Sequence, residues 1–195
     1  GVLDIQMFVD YLCPICGQFE QTNGAYISSL LENGATTVEI HPIAILDRLS
    51  QGTKYSTRAA NAAACVANYS PNQFYDFHNA LFANQPAENT TGLSDDELIA
   101  LTADAKVDKA DKIAECIKGQ NFKAWVGNST ARALNGPIPN SNVDKVTGTP
   151  TIIVNGVKYE GSISDLASFQ AFVIQAAGED FNASSTATPT PTPAP

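Results

Sequence analysis

The feature that most constrains this chain is a Cys-x-x-Cys motif that lies between a strand pattern and a helix pattern. Residues 4–9 alternate polar and apolar side chains and then become fully apolar, which is typical of a strand that enters the interior of a sheet. Cys13 and Cys16 follow this run. Pro14 suits the first turn of a helix, where its missing N–H group is no loss. We therefore expect Cys13 at or next to the N-cap of a helix.

This placement predicts different roles for the two cysteines. At a helix start, the sulfur of Cys13 would face unpaired backbone N–H groups and the positive end of the helix dipole, and both favour a thiolate over a thiol. Cys13 is thus the predicted nucleophile, and Cys16, one turn deeper, is the predicted resolving thiol.

The alternatives to a redox pair are half of a zinc site or an inert disulfide. Zinc would need two further ligands at close spacing, and the sequence has no second Cys-x-x-Cys and no His-x-x-x-His. We predict redox chemistry, with no metal and no cofactor.

Charge and hydropathy narrow the class of protein. The 11 Lys and Arg residues against 20 Asp and Glu residues give a net charge of -9, which repels phosphate backbones and anionic lipid, so nucleic acid is excluded as a partner. No apolar run approaches the roughly 20 residues that a membrane-spanning helix needs. The chain begins at Gly1, directly on a strand. We expect a processed form whose export signal or N-terminal anchor would lie upstream.

The sequence pattern changes several times along the chain. Asn155-Gly156 between two β-rich runs indicates a two-residue hairpin turn of type I′, and the helix after it is expected to end near Gly178. The four predicted segments are a strand-helix-strand half with parallel strands at 1–54, a helical insertion at 55–135, a strand-strand-helix half at 136–180, and a flexible tail rich in Ser, Thr and Pro at 181–195.

Two further cysteines and a histidine fall on apolar faces of the helical segment. Cys65 and Cys116 each follow an inward apolar position by three residues, so a reactive role is disfavoured and a bond between them is feasible. If Cys13 and Cys16 pair by proximity, the remaining connectivity is Cys65 to Cys116, which would imply an oxidising compartment. The alternative is two unpaired buried thiols in a cytosolic protein. His78 lies within an apolar stripe, which favours a packed core histidine over a catalytic base.

Three motifs in this order resemble a known family. The active-site run at 10–20, the insertion motif at 74–82 and the Gly-Thr-Pro-Thr at 148–151 are similar to those of a thioredoxin fold of the DsbA-like type, over about residues 3–178. The resemblance implies an α/β protein with a helical insertion between a βαβ half and a ββα half. It also implies a cis peptide bond between Thr149 and Pro150 beside Cys13, where the backbone of residue 149 can pair with substrate. A second cysteine pair in the insertion is similar to that of actinobacterial members.

The sequence departs from this family's pattern at two places. Thioredoxins and some DsbA proteins carry a buried carboxylate six positions before the nucleophilic cysteine, and here Met7 holds that place. Proton transfer would then use Asp10 or Glu20. Instead of transferring protons, Asp10 could have the structural role of a turn or helix-start residue, and Glu20 could lie on a solvated helix face. The residues between the cysteines are Pro14 and Ile15, without the histidine of strongly oxidising members, which raises the expected pKa of Cys13 and argues against a very strong oxidant.

The resemblance implies a thiol-disulfide oxidoreductase, and we expect an oxidase that donates disulfides to secreted or cell-envelope proteins through Cys13 and Cys16. Its expected substrates are unfolded secreted proteins with thiols, and a membrane redox partner would reoxidise the pair. We expect a monomer outside the cytoplasm. Alternatives are a disulfide isomerase or reductase on the same fold, a kappa-type glutathione transferase, which does not need Cys16, and a non-redox chaperone or binding module, which the intact motif disfavours.

Overall fold

The protein combines one four-stranded sheet with seven α-helices within residues 2–185, the part of the chain that the computed structural model describes. The strands are β1 (Leu3–Val9), β2 (Thr36–Pro42), β3 (Thr151–Val154) and β4 (Val157–Lys158). The helices are α1 (Pro14–Glu32), α2 (Tyr55–Tyr69), α3 (Phe74–Ala83), α4 (Asp95–Asp104), α5 (Ala110–Gly119), α6 (Lys123–Asn135) and α7 (Leu166–Ser185). Helices α2 to α6 follow the βαβ half and precede the ββα half, which is the predicted order.

The sheet has the strand order β2-β1-β3-β4. Strands β1 and β2 are parallel, as a crossover through α1 requires, and β3 is antiparallel to both β1 and β4. Asn155 and Gly156 form the two-residue turn between β3 and β4 with φ angles of 47° and 80°, the positive values that a type I′ turn needs. The amide N–H of Asn155 also donates to the carbonyl of Asp4 at 2.8 Å, which fixes the hairpin against β1.

Strand β1 is covered on both faces. Four of its side chains pack into the main core with α1, α2 and α7: Leu3, Ile5, Met7 and Val9. Phe8 packs on the opposite face, in a second cluster with Ile43 and Ile153. Apolar contacts on both faces hold β1 rigidly in the middle of the sheet. The turn that follows β1, which carries Cys13, is therefore positioned by a strand that is buried along almost its whole length.

A disulfide joins the second cysteine pair inside the helical insertion. It connects Cys65 on α2 to Cys116 on α5, and both residues are buried. One helical turn before Cys65, the side-chain oxygen of Asn61 accepts a hydrogen bond from the amide of Phe122 at 2.8 Å. Helix α2 is thus bound both to α5 and to the start of α6.

Helix α7 is longer than the sequence predicts. It begins at Leu166 and continues through Gly178 to Ser185, so the expected end near Gly178 is wrong. A single glycine costs a helix only about 1 kcal/mol relative to alanine, which does not force the helix to end. Residues 181–185 of the predicted tail therefore belong to α7, and the remainder, residues 186–195, lies outside the described residues. Between residues 2 and 185, no helix has both the length and the apolar character required to cross a bilayer.

Candidate active site

Cys13 is the N-cap residue of α1, and Pro14 occupies the first helical position. The amide of Gly17 donates to the carbonyl of Cys13 at 3.2 Å, which closes the first turn of the helix. The Cys13 side chain is 6% exposed, and Cys16, one turn further along α1, is completely buried. Both cysteines are free thiols in this structure. Cys13 is therefore the member of the pair that lies nearer to solvent.

The surroundings of the two sulfur atoms separate their pKa values. The pKa of Cys13 is lowered to about 6, and the largest cause is a hydrogen bond from the Cys16 side chain. Burial of Cys13 opposes this shift. Hydrogen bonds from the Thr149 side chain and from the backbone amides of Cys16 and Ile15 lower the pKa further. Burial raises the pKa of Cys16 well above its usual value, and the neighbouring Cys13 raises it further. At neutral pH the reduced site thus holds a Cys13 thiolate and a Cys16 thiol, as a nucleophile and its resolving partner require.

The pH dependence of Cys13 gives a direct test of this arrangement. Alkylation of the reduced protein by iodoacetamide, and the ultraviolet absorbance of the thiolate, should both titrate with a midpoint at about pH 6. Replacing Cys16 with alanine, which removes the side-chain donor to the Cys13 sulfur, should move the midpoint upward. A midpoint near 8.5, the value of an ordinary cysteine, would contradict the assignment of Cys13 as the stabilised thiolate.

The same shift makes the stability of the reduced protein depend on pH. Because folding lowers the pKa of Cys13 from the ordinary value of about 8.5 to about 6, the thiolate stabilises the folded state fully above about pH 8.5, and this stabilisation is lost as the pH falls through about 6. Between about pH 8.5 and pH 6, the reduced protein should therefore lose stability relative to the oxidised protein. Oxidised protein, in which Cys13 cannot titrate, is the matched control in urea unfolding at each pH.

Thr149 and Pro150 lie beside Cys13 because of the sheet register. Strand β3 is antiparallel to β1, and Thr151 at its start pairs with Phe8 near the end of β1. The residues before β3 and those after β1 therefore meet. The Thr149-Pro150 peptide bond is cis, and the Cys13 thiol lies 3.4 Å from the carbonyl oxygen of Thr149. A second cis bond, between Gly136 and Pro137, was not predicted.

Asp10 is completely buried, and its carboxylate is held by backbone amides. One oxygen accepts from Leu12 at 2.9 Å, and the other accepts from Ile45 at 2.9 Å and Leu46 at 3.0 Å. Burial raises the pKa of Asp10, and these hydrogen bonds oppose the rise. The carboxylate thus ties the active-site turn to the loop after β2. The amide of Asp10 also faces the Cys16 sulfur, where its hydrogen bond lowers the Cys16 pKa, so the residue lies next to the resolving thiol.

Glu20 belongs to a buried polar chain that the sequence did not reveal. Its carboxylate oxygen Oε1 lies 3.1 Å from Nε2 of His78, and Nδ1 of His78 lies 3.1 Å from the hydroxyl of Tyr11. Glu20 is 8% exposed, so the alternative of a solvated helix face is wrong. His78 is completely buried, as expected, yet both of its ring nitrogens have polar partners. The charge of Cys16 affects the pKa of Tyr11, so the chain begins near the resolving thiol and ends at Glu20.

Gln85 is a second site residue that sequence reasoning missed. Its side-chain amide donates to the carbonyls of Cys13 at 2.9 Å and Tyr11 at 3.1 Å, so it holds the active-site turn from the far end of α3. A Cβ atom at Gly17 would lie 2.3 Å from the Gln85 side-chain oxygen. The glycine directly after the Cys-x-x-Cys thus leaves room for the Gln85 side chain in this position, and it was the one local feature of the sequence that could have pointed to the contact.

The position that carries a carboxylate in many thioredoxins is apolar here. Met7 is completely buried in the main core, among the β1 side chains. The acidic residues that do lie near the cysteines are Asp10, in the turn between β1 and α1, and Glu20, one helical turn beyond Cys16 on α1. Within the described residues, no group of three or more His, Cys, Asp or Glu side chains could hold a metal ion.

Comparison with known proteins agrees with this geometry. The family model described as Thioredoxin matches residues 3–174. A reduced disulfide bond oxidoreductase (DsbG) of Mycobacterium tuberculosis is 35% identical, with a TM-score of 0.75 over 96% of this chain and 86% of that one. Oxidised DsbA of M. tuberculosis is 35% identical, with a TM-score of 0.74 over 95% of this chain and 90% of that one. These matches confirm the predicted fold class and the resemblance to DsbA-like proteins.

A different match concerns a much longer protein. The serine/threonine-protein kinase PknE of M. tuberculosis is 31% identical over 134 residues, which are 67% of this chain. The chain spans only 23% of the length of this curated relative.

Proposed function

Since this chain belongs to the thioredoxin family, as a DsbA-like thiol-disulfide oxidoreductase, we propose that it is an oxidase that donates disulfides to secreted or cell-envelope proteins. The observation that carries the proposal is the separation of the two cysteine pKa values at the start of α1. A stabilised Cys13 thiolate is a good leaving group, and a buried Cys16 thiol is a poor one. This difference favours the reduced form of the pair and hence the transfer of the disulfide to a substrate.

The reaction consists of two exchanges that balance in atoms and electrons. A substrate thiolate attacks the Cys13 sulfur of the Cys13–Cys16 disulfide, and the S–S bond between the two cysteines breaks as Cys16 leaves and takes up a proton. A second thiolate of the substrate then attacks the substrate sulfur of the mixed disulfide and releases the Cys13 thiolate. The substrate loses two electrons and gains a disulfide. The protein gains the two electrons and ends as a Cys13 thiolate with a Cys16 thiol.

The groups around the cysteines suggest the remaining roles. We assign to Thr149 the pairing with the backbone of an extended substrate, a role supported by the distance of 3.4 Å between its carbonyl oxygen and the Cys13 sulfur, and we assign to cis Pro150 the shape of this loop before β3. Asp10 is one candidate for proton transfer, because it is a buried acidic residue whose backbone lies next to Cys16. Glu20 is the candidate that acts through Tyr11 and His78.

The location and partners follow from the same chemistry. The Cys65–Cys116 disulfide supports an oxidising compartment outside the cytoplasm, since cytosolic thiols are kept reduced. Substrates there would be unfolded polypeptides with free thiols. After each turnover the Cys13–Cys16 pair must be reoxidised, a role that we assign to a membrane redox partner. We expect a monomer to be sufficient for the reaction, because a single chain carries both Cys13 and Cys16.

The reduction potential of the Cys13–Cys16 pair tests this proposal. Thioredoxin and DsbA have nucleophile pKa values of about 7 and about 3.5, with potentials of about −270 mV and about −120 mV. A Cys13 pKa of about 6 lies between these values, so we expect a potential between the two extremes in glutathione or dithiothreitol buffers. A value at or below about −270 mV would indicate a reductase instead. The absence of any titratable pair would leave only the non-redox binding module, and the Cys16→Ser variant, which cannot form the pair, gives the baseline.

A further inference from the structure

A groove of about 960 Å³ runs along α1 from the active site. Pro14 and Ile15, next to Cys13, line one end of it, and Ser28 lines the other. At 1.5 Å per helical residue this is a length of about 21 Å. The second wall is formed by α3, through Asn79 and its neighbours, and by Gln85. A polypeptide bound at Cys13 could therefore continue into this groove, on residues that do not include Thr149.

Glu20 supplies the charge of this groove. Of the residues that line the groove, all of which lie within the described chain, Glu20 is the only one with an ionisable side chain. Its oxygen Oε1 is bound to His78, but its oxygen Oε2 is buried and has no hydrogen-bond partner in the described structure. A buried carboxylate oxygen without a donor is costly, because desolvation is not offset. The wall of the groove thus holds a buried acceptor whose hydrogen-bonding capacity is unmet.

The buried polar chain fixes the direction of this acceptor. The Tyr11 hydroxyl can donate to Nδ1 of His78, which leaves the Nε2–H of His78 to donate to Oε1 of Glu20. Oxygen Oε2 then lies beside Gly24, where an added Cβ atom would be 3.3 Å away. Gly24 also lines the groove, so no side chain of residue 24 stands between Oε2 and the groove.

We propose that this groove is a substrate subsite that takes a lysine or arginine side chain, which pairs with Oε2 of Glu20. The inference rests on the proposed function and adds a substrate preference to it. Glu20 lies seven residues after Cys13 on α1, a rise of about 10 Å, and an extended peptide covers this distance in about three residues. The basic residue would therefore lie about three positions from the reacting cysteine. The net charge of -9 also attracts a basic segment.

Matched peptides test the subsite. Each peptide carries one cysteine and, three positions before or after it, either arginine or its neutral analogue citrulline. The measurement is the rate constant for mixed-disulfide formation with the oxidised protein, followed by acid quench and mass spectrometry. We expect the arginine peptide of one orientation to react five- to tenfold faster than its citrulline partner, with the advantage falling as salt is added.

Three variants locate the effect, and each is assessed by its own arginine-to-citrulline ratio so that changes in the chemical step cancel. Glu20→Gln should bring the ratio within twofold of one. Gly24→Ala, which keeps the charge but places a methyl group 3.3 Å from Oε2, should also reduce it, and alanine favours the helix. Glu32→Gln removes the same charge from an exposed position at the end of α1 and should leave the ratio unchanged.

The outcomes separate this inference from the proposed function. Equal rates for arginine and citrulline peptides, with exchange intact, would overturn the subsite and leave the oxidoreductase unaffected. A ratio that persists in Glu20→Gln would also overturn it. Failure of the wild-type protein to react with any peptide would overturn the proposed function itself.

Discussion

Replacing Cys13 with serine is expected to slow thiol-disulfide exchange by about four orders of magnitude or more, as loss of an enzymic nucleophile commonly does. No other sulfur can take its place. Cys16 is completely buried with a raised pKa, so it is present as an inaccessible thiol. Cys65 and Cys116 are already joined in a buried disulfide. The measurement is the oxidation of a reduced, unfolded ribonuclease in a glutathione buffer, followed by the recovery of its activity.

The Cys16→Ser variant is the matched control for this result. It retains the Cys13 nucleophile but has no resolving thiol, so with a disulfide-containing unfolded substrate the Cys13 thiolate should break the substrate S–S bond, release one substrate thiolate and leave a mixed disulfide that accumulates and is visible by mass spectrometry. The assignment of the two roles would be reversed if Cys13→Ser trapped the substrate and Cys16→Ser did not.

Removing the Cys65–Cys116 disulfide is expected to lower the free energy of unfolding by about 4 kcal/mol. The two cysteines are 51 residues apart, and closing a loop of this length restricts the unfolded chain strongly in the chain-entropy account. Alanine at both positions is the suitable change, because serine would place unpaired hydroxyl groups in the core. In a chain of this size the melting temperature should fall on the order of 10 °C.

Urea unfolding of the double variant, with the Cys13–Cys16 pair in the same redox state as in the wild type, measures this effect. The two single variants, each with one free buried thiol, should be as destabilised as the double variant, since either change opens the loop. A loss below about 1 kcal/mol would contradict the account, because it would mean that the bond barely constrains the unfolded chain.

Local features of the fold could be predicted from the sequence. The apolar run before Cys13, with Pro14 after it, was sufficient to place a strand, a turn and a helix start. Asn155-Gly156 was sufficient for a hairpin, since only a few residue pairs accept two positive φ angles. The end of α7 was predicted wrongly because a glycine weakens a helix without ending it, and Gly178 makes no contact that a side chain would disturb.

The shape of the site depends on contacts that leave no local pattern. Helical spacing places Glu20 one turn after Cys16, but only the packing of α3 against α1 buries it and brings it to His78, 58 residues away. Gln85 reaches the Cys13 carbonyl across 72 residues through an ordinary side-chain amide. Neither residue type nor spacing distinguishes these two from solvated residues, so one sequence can name Glu20 as a candidate but does not show its burial, its contact with His78 or the partners of Gln85.

The active site depends on the helical insertion as well as on the βαβ half that carries the two cysteines, because Gln85 and His78 belong to the insertion. A shortened protein without the helices between β2 and β3 would keep the Cys-x-x-Cys but lose the amide that holds the Cys13 turn. It would also leave Tyr11 and Glu20 without their buried partner. The insertion is thus no detachable module, and engineering that transplants the redox motif onto a minimal scaffold would have to rebuild these supports.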